Sequence, residues 1–268
     1  VSKALPSLRI ACAVDTGRAR ANNEDAVVID EACGVAVLAD GMGGYQAGEV
    51  ASGMATHLVH GELSRWLAED GGEGSDAEVR RALERAVDGA NRQIFNAATL
   101  NPDYQGMGTT LVCAVFRGAR VLIGHVGDSR AYRLRAGRLA RLTRDHSLLQ
   151  EQIDAGLITP QDAAVSTMKN LVTRAVGVED TVLVESHVHA LQPADCILLC
   201  SDGLSDMLAE TAIEQLMQGE TEPEVLCQRL VQAANDAGGR DNISVVVAYV
   251  AGVRGERAAP WWRLGRRR

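Results

Sequence analysis

Gly34-Val35-Ala36-Val37-Leu38-Ala39-Asp40-Gly41-Met42-Gly43-Gly44, residues 34–44, is the stretch on which the fold turns. The apolar run Gly34–Ala39 reads as a buried strand, and it stops at an aspartate followed by a glycine-rich turn. A carboxylate at the end of a buried strand is costly unless something cationic offsets it. The glycines let the backbone turn tightly and bring a carbonyl close to whatever the aspartate holds. Taken alone, the stretch reads equally well as a strand-to-helix turn in which Asp40 bonds to its own backbone.

Upstream, Leu8–Val14 and Ala26–Ile29 are strand-like and flank a polar loop from Asp15 to Asp25. Downstream, Val50, Met54, Leu58, Leu63 and Leu67 recur at helical spacing between Gln46 and about Ala68. Gly71-Gly72-Glu73-Gly74-Ser75 breaks the pattern, and Asp76 is the expected N-cap of a second helix running to about Thr99 on Val79, Leu83, Val87, Ala90 and Ile94. Two long helices in succession argue against a βαβ alternation. Hairpins follow: Thr109–Phe116 with Arg120–Val126, then Ala131–Arg135 with Arg138–Leu142. Ser147–Ala155 reads as a short helix, and Gly156–Asn170 as an excursion from the core, a flap. Strands are expected at Val182–Val188, Cys196–Cys200 and Ile243–Val250, and helices at Thr211–Met217 and Pro223–Ala237. Antiparallel hairpins with paired helices predict an α+β fold: a central antiparallel β-sandwich flanked by helix pairs, α-β-β-α in four layers. Residues 1–252 are expected to form a single domain, with the flap at about 145–178 and a basic tail at 253–268.

The composition narrows the function classes. Hydrophobic residues make up 46% of the 268 and aromatics 3%, so the core must be built from Ala, Val, Leu and Ile. A net charge of -8 disfavours nucleic acid and anionic membranes as general partners. Arginines crowd the C-terminus around Trp261-Trp262, which reads as a solvated end or a weak docking tail. Six cysteines without CxxC pairing fit buried thiols better than disulfides or a zinc site. With no run long enough to span a bilayer and no signal-like N-terminus, the expectation is a cytoplasmic monomer.

Four further acidic turns resemble the one at Asp40: Glu24-Asp25 before the second strand, Gly127-Asp128 after the run Val121–Val126, Ser201-Asp202-Gly203 after Ile197–Cys200, and Asp241-Asn242 before the last strand. Hard divalent cations such as Mg²⁺ and Mn²⁺ take oxygen ligands. Carboxylates gathered in one cleft would repel each other unless such cations were bound.

In order and spacing, Arg20-x-x-Asn23-Glu24-Asp25, Asp40-Gly41-Met42-Gly43-Gly44, Gly108-Thr109-Thr110, Gly127-Asp128-Ser129-Arg130, Ser201-Asp202-Gly203-Leu204 and Gly239-Arg240-Asp241-Asn242 resemble the metal-dependent serine/threonine protein phosphatases of type 2C, the PPM family, in their bacterial form. The likeness covers about residues 8–250, and Asn170–Gly177 is similar to the family's stretch after the flap. It implies a β-sandwich flanked by helix pairs and hydrolysis of phosphoserine or phosphothreonine by water acidified between two Mn²⁺ or Mg²⁺ ions. On this resemblance Asp40 bridges the two metals, the Gly41 carbonyl binds one, and Asp202 and Asp241 complete the other. Glu24 and Asp25 act through water. Asp128, Asp202 and Asp206 form a third, weaker site. Arg20 holds the substrate phosphate, for which a planar guanidinium is suited. The implied partners are phosphoproteins and a bacterial eukaryotic-like serine/threonine kinase whose work the enzyme reverses.

Two positions depart from the family pattern. Met42 stands where animal members carry a histidine assigned as general acid, and Ser166-Thr167 stand where His-Pro is expected in the flap. Of the histidines, His146 is expected to cap the helix after it and His125 to be a satisfied core residue; His57, His60, His187 and His189 have no ligand spacing. The alternatives are a catalytically silent phosphoprotein-binding relative, and the same metal site acting on a phosphorylated regulator or small ester.

Overall fold

A computed structural model describes residues 8–44, 47–70, 74–159, 162 and 171–251 of the chain. Residues 160, 161 and 163–170 of the expected flap, Ser166-Thr167 included, and the Arg/Trp-rich tail lie outside the described residues. The strands are β1 Leu8–Asp15, β2 Asp25–Asp30, β3 Val35–Met42, β4 Gly108–Thr109, β5 Leu111–Arg117, β6 Arg120–Val126, β7 Arg130–Arg135, β8 Arg138–Arg141, β9 Glu185–Ala190, β10 Cys196–Cys200 and β11 Ile243–Val250. The helices are α1 Ala47–Asp70, α2 Asp76–Leu100, α3 Leu148–Asp154, α4 Asp202–Ser205, α5 Glu210–Met217 and α6 Pro223–Asp236.

Two antiparallel sheets result, ordered β1-β11-β10-β7-β8 and β2-β3-β5-β6-β9. Their central strands β3, β5, β10 and β11 are buried on both faces and read as continuous apolar runs, so the side-chain period of two decides which layer each residue enters. In β3, Ala36 and Leu38 face the layer between the sheets, while Val35, Val37 and Ala39 face α1 and α2. In β10, Ile197 and Leu199 enter the same central layer, and Cys196, Leu198 and Cys200 pack on the α5–α6 side. This is the predicted four-layer α-β-β-α sandwich. The cysteines are all free thiols, four of them buried.

Several local expectations are corrected. Strand β3 does not stop at Asp40; Gly41 and Met42 continue it by pairing with Thr109 and Gly108. The N-cap of α2 is Ser75, not Asp76: its hydroxyl accepts from the Glu78 N–H, and the Glu78 carboxylate accepts from the Ser75 N–H in return. The buried face of α2 carries the expected Val79, Leu83, Val87 and Ile94. That of α1 is Ala47, Ala51, Ala55, Val59 and Leu63, with Val50, Met54, Leu58 and Leu67 only partly covered. Small residues win that face because the helix start presses on β3: a Cβ on Gly41 would sit 2.1 Å from the Gly48 carbonyl oxygen. The strand expected from Val182 begins at Glu185.

Candidate active site

The antiparallel register gathers the acidic turns at one edge of the sandwich. Asp25 opens β2 directly opposite Asp40 in β3. The chain leaves β6 at Val126 beside the start of β5, placing Asp128 at that same edge. From the other sheet, β10 ends at Cys200 opposite Val245, so Asp202 and Asp241 arrive from adjacent strands. A cavity of about 220 Å³ opens there, lined by Arg20, Glu24, Asp40, Gly41, Asp128, Asp202 and Asp241, with Met42 and Val172 at its wall. Asp25 and Asp206 do not line the cavity. Asp25 stands behind it, and Asp206 follows α4, its N–H donating to the Asp202 carbonyl at 2.7 Å.

Neutral side chains fix these turns. The Asp40 N–H donates to Thr110 Oγ1 at 3.0 Å, and its carbonyl accepts from the Thr109 hydroxyl at 2.8 Å and the Thr110 N–H at 2.9 Å. Ser201 donates to Asp25 Oδ2 at 2.9 Å. Asn242 clasps the loop ahead of β2: its amide donates to the carbonyls of Thr16 and Asn22, and its Oδ1 accepts from the Glu24 N–H. Gly127, at φ +98, lies where a Cβ would meet Thr110 at 2.8 Å. Thr109, Thr110, Ser201 and Asn242 stand inside the sequence motifs, yet their roles depend on partners far along the chain.

The electrostatics are those of crowded, desolvated carboxylates. Burial pushes the Asp25 carboxyl up to about 6 despite donors from Ser244 and Ser201. Burial, reinforced by Asp145, pushes Asp128 up to about 6 as well. Asp40 and Asp202 rise well above the usual carboxylate range, first from burial and then from their acidic neighbours; Asp206 adds to the pressure on Asp128 and Asp202. Glu24 is raised by burial, with Arg20 opposing. The Arg20 guanidinium donates to Asp241 Oδ2 at 2.7 Å, and the pairing raises its own pKa.

His146 is corrected from helix cap to clasp. Ser147 caps α3, its hydroxyl accepting from the Gln150 N–H. The His146 N–H donates to the Gly127 carbonyl at 2.9 Å while its Nδ1 accepts from the Gly127 N–H at 3.2 Å, fixing the turn before Asp128. Its ring stacks on His125, centroids 4.6 Å apart and planes 13° from parallel. His125 is the expected satisfied core residue, its Nε2 bonded to the Arg144 carbonyl at 2.7 Å. With Glu185 these two rings bring ligand atoms within 4.8 Å of one another. Near-parallel rings aim their lone pairs along parallel planes instead of at one ion, so the cluster serves the turn.

The acidic cavity suits hard cations. Among the described residues, Asp25 Oδ1 and Asp202 Oδ1 are buried without a hydrogen-bond partner. Unpaired carboxylate oxygens in and just behind an electronegative cleft, beside a glycine carbonyl, form an oxygen-only donor set suited to Mg²⁺ or Mn²⁺.

A β-sandwich with such a cluster at one edge defines a metal-dependent hydrolase. The family model for protein phosphatase 2C matches residues 17–237. A serine/threonine phosphatase, stp, of Listeria welshimeri is 39% identical over 236 residues, covering 87% of this chain and 92% of that protein. Stp1 of Staphylococcus aureus superposes with a TM-score of 0.84 at 34% identity, covering 91% of this chain and 96% of that one. The catalytic domain of the phosphatase PstP, solved with two manganese ions, superposes with a TM-score of 0.78 at 37% identity, covering 91% and 98%. The chain belongs to the protein phosphatase 2C family. Among the described residues no helix is long and apolar enough to cross a membrane.

Proposed function

We propose that the chain removes phosphate from phosphoserine and phosphothreonine in proteins, opposing a serine/threonine kinase, with Mn²⁺ or Mg²⁺ in the carboxylate cleft. The observation that carries this reading is the convergence of Asp40, Asp128, Asp202, Asp241 and the Gly41 backbone on one small cavity, with Arg20 at its rim. In this reading Asp40 would be the carboxylate shared by two ions, the Gly41 carbonyl would serve one of them, and Asp202 and Asp241 would hold the other. Glu24 and Asp25 would act through metal-bound water, and Asp128, Asp202 and Asp206 would hold a third ion. Bound there, the cations would supply a polarised water as nucleophile and offset charge on the phosphoryl oxygens. Residues 1–252 act as one catalytic unit, monomeric in solution.

Arg20 orients the phosphate through its planar fork, and it is poised to do so because its partner is a proposed metal ligand. With Asp241 engaged as a metal ligand, the Arg20 guanidinium would be released from this 2.7 Å pair and free for substrate. Met42 at the cleft wall has no proton to give, so the departing serine or threonine oxygen takes its proton from water and leaves as the hydroxyl. Arg20→Ala is expected to raise KM about ten-fold or more, the loss of a charge-assisted contact. Mn²⁺ affinity should hold or tighten, since Asp241 loses a competitor. Steady-state kinetics with Mn²⁺ titration calorimetry checks this; an unchanged KM with weakened metal binding would give Arg20 a different role.

A further inference from the structure

An apolar furrow leads away from the catalytic cleft. Met42 and Val172 line both the cleft and an adjoining cavity of about 490 Å³, which continues past Val178, Val182 and Leu183. A second hollow of about 500 Å³ joins it at Gly106 and Val178 and is bordered by Leu100. Leu100, Val178 and Leu183 are 84%, 50% and 76% exposed. Single apolar side chains in water need no explanation, but three along one path from a catalytic centre do.

The furrow's wall is built, not incidental. Asn91, fully buried on the apolar face of α2, uses its whole amide on this segment: Oδ1 accepts from the Gly177 N–H at 2.7 Å, and Nδ2 donates to the Glu179 carbonyl at 3.0 Å. Thr109 and Val176 exchange backbone hydrogen bonds at 3.0 and 2.8 Å. Gly177, at φ +89, lies so close to Ile94 that a Cβ would sit 2.2 Å from it. A buried amide committed to a loop holds that loop in one shape, so the groove is preformed.

We propose that this furrow docks the polypeptide on one side of the phosphorylated residue and selects substrates with a large apolar side chain within three positions of it. The inference rests on the phosphatase reading. Its occupant follows from continuity: a phosphoresidue seated against Arg20 must carry its flanking chain out of the cleft. Met42 and Val172 belong to both cavities, so the furrow is a direct exit. Three extended residues reach ~10 Å, enough to enter the adjoining cavity. The lining offers Val178, Val182 and Leu183, with Arg174 and Glu179 as its charged margin.

The test uses the full chain with Mn²⁺ and two phosphothreonine peptides that differ only in carrying leucines or serines at the flanking positions. The unaltered chain should favour the leucine peptide by about ten-fold in kcat/KM, the discrimination an apolar pocket provides. Leu183→Glu, and separately Val178→Asp, should bring that preference to within about two-fold of unity, since a carboxylate opposes apolar burial. Both sites are exposed, and thermal melts confirm that the variants fold. The proposal is overturned if the unaltered chain hydrolyses p-nitrophenyl phosphate but ignores the leucines, or if the preference survives both substitutions. It is equally overturned if Leu183→Glu abolishes only self-association or only binding to phosphatidylcholine vesicles. Inertness toward both peptides and p-nitrophenyl phosphate would sink the phosphatase reading, and the groove with it.

Discussion

Asp40→Asn is expected to lower kcat on a phosphothreonine peptide by about a thousand-fold, ~4 kcal/mol at the usual conversion of barrier to rate. The substitution isolates charge. The Asp40 backbone is fixed by Thr109 and Thr110, and those three hydrogen bonds do not involve the carboxylate, so asparagine can occupy the same place. What disappears is the negative group that would bridge two cations. The metal-free protein should move the other way and melt at a higher temperature, because a buried charge crowded by Asp25, Asp202, Asp128 and Asp241 has been neutralised. Loss of turnover together with a raised melting temperature in chelator is the expected pair. A kcat within ten-fold of the parent, or a lowered melting temperature in chelator, would remove Asp40 from its central role.

The stabilisation by Mn²⁺ should grow steeply between pH 5 and pH 7.5. Burial pushes Asp25 and Asp128 up to about 6 in the folded chain, and burial with acidic neighbours raises Asp40 and Asp202 well above the ordinary 3.8. For an acid raised on folding, the native state binds more protons than the unfolded chain between the two pKa values, so stability falls as pH rises through that window. The buried histidines His125 and His146 are lowered on folding, which gives the opposite slope below pH ~6.5. They contribute with and without metal, so the difference between the two melts isolates the carboxylates.

Cations bind the deprotonated cluster, so they compete with protons at pH 5 and meet free carboxylates near neutrality. At a hundred-fold excess over Kd each ion adds ~2.7 kcal/mol, and two ions should raise the melting temperature by about 10 °C or more at pH 7.5. Paired calorimetric melts in EDTA and in Mn²⁺ across this range check it. A Mn²⁺ effect that is absent, or equal at both ends of the range, would mean that these carboxylates do not hold the ions.

The sandwich was legible because its signals are local: two long helices in succession, hairpins around Arg117-Gly118-Ala119 and Ala136-Gly137, and apolar runs ending at aspartates. The site was legible for the same reason, since strand-end aspartates beside glycines fix the edge where ligands can meet. What escaped depends on partners distant in sequence. The extension of β3 past Asp40 needs Gly108 and Thr109, and the alanine face of α1 is dictated by the approach of Gly41 to Gly48. Asn91 lies among the apolar residues of α2, and nothing near it in the chain announces that its amide holds residues 177–179. His146 stands one position before the true cap, and its hold on Gly127 spans 19 residues. The pairing of Arg20 with Asp241 spans 221.

Divalent cations in the carboxylate cleft are proposed to supply the chemistry. This is tested most directly by phosphothreonine-peptide hydrolysis measured first in EDTA and then with increasing Mn²⁺. Activity should be lost in chelator and return with a saturable dependence on the ion; undiminished turnover in EDTA would contradict it.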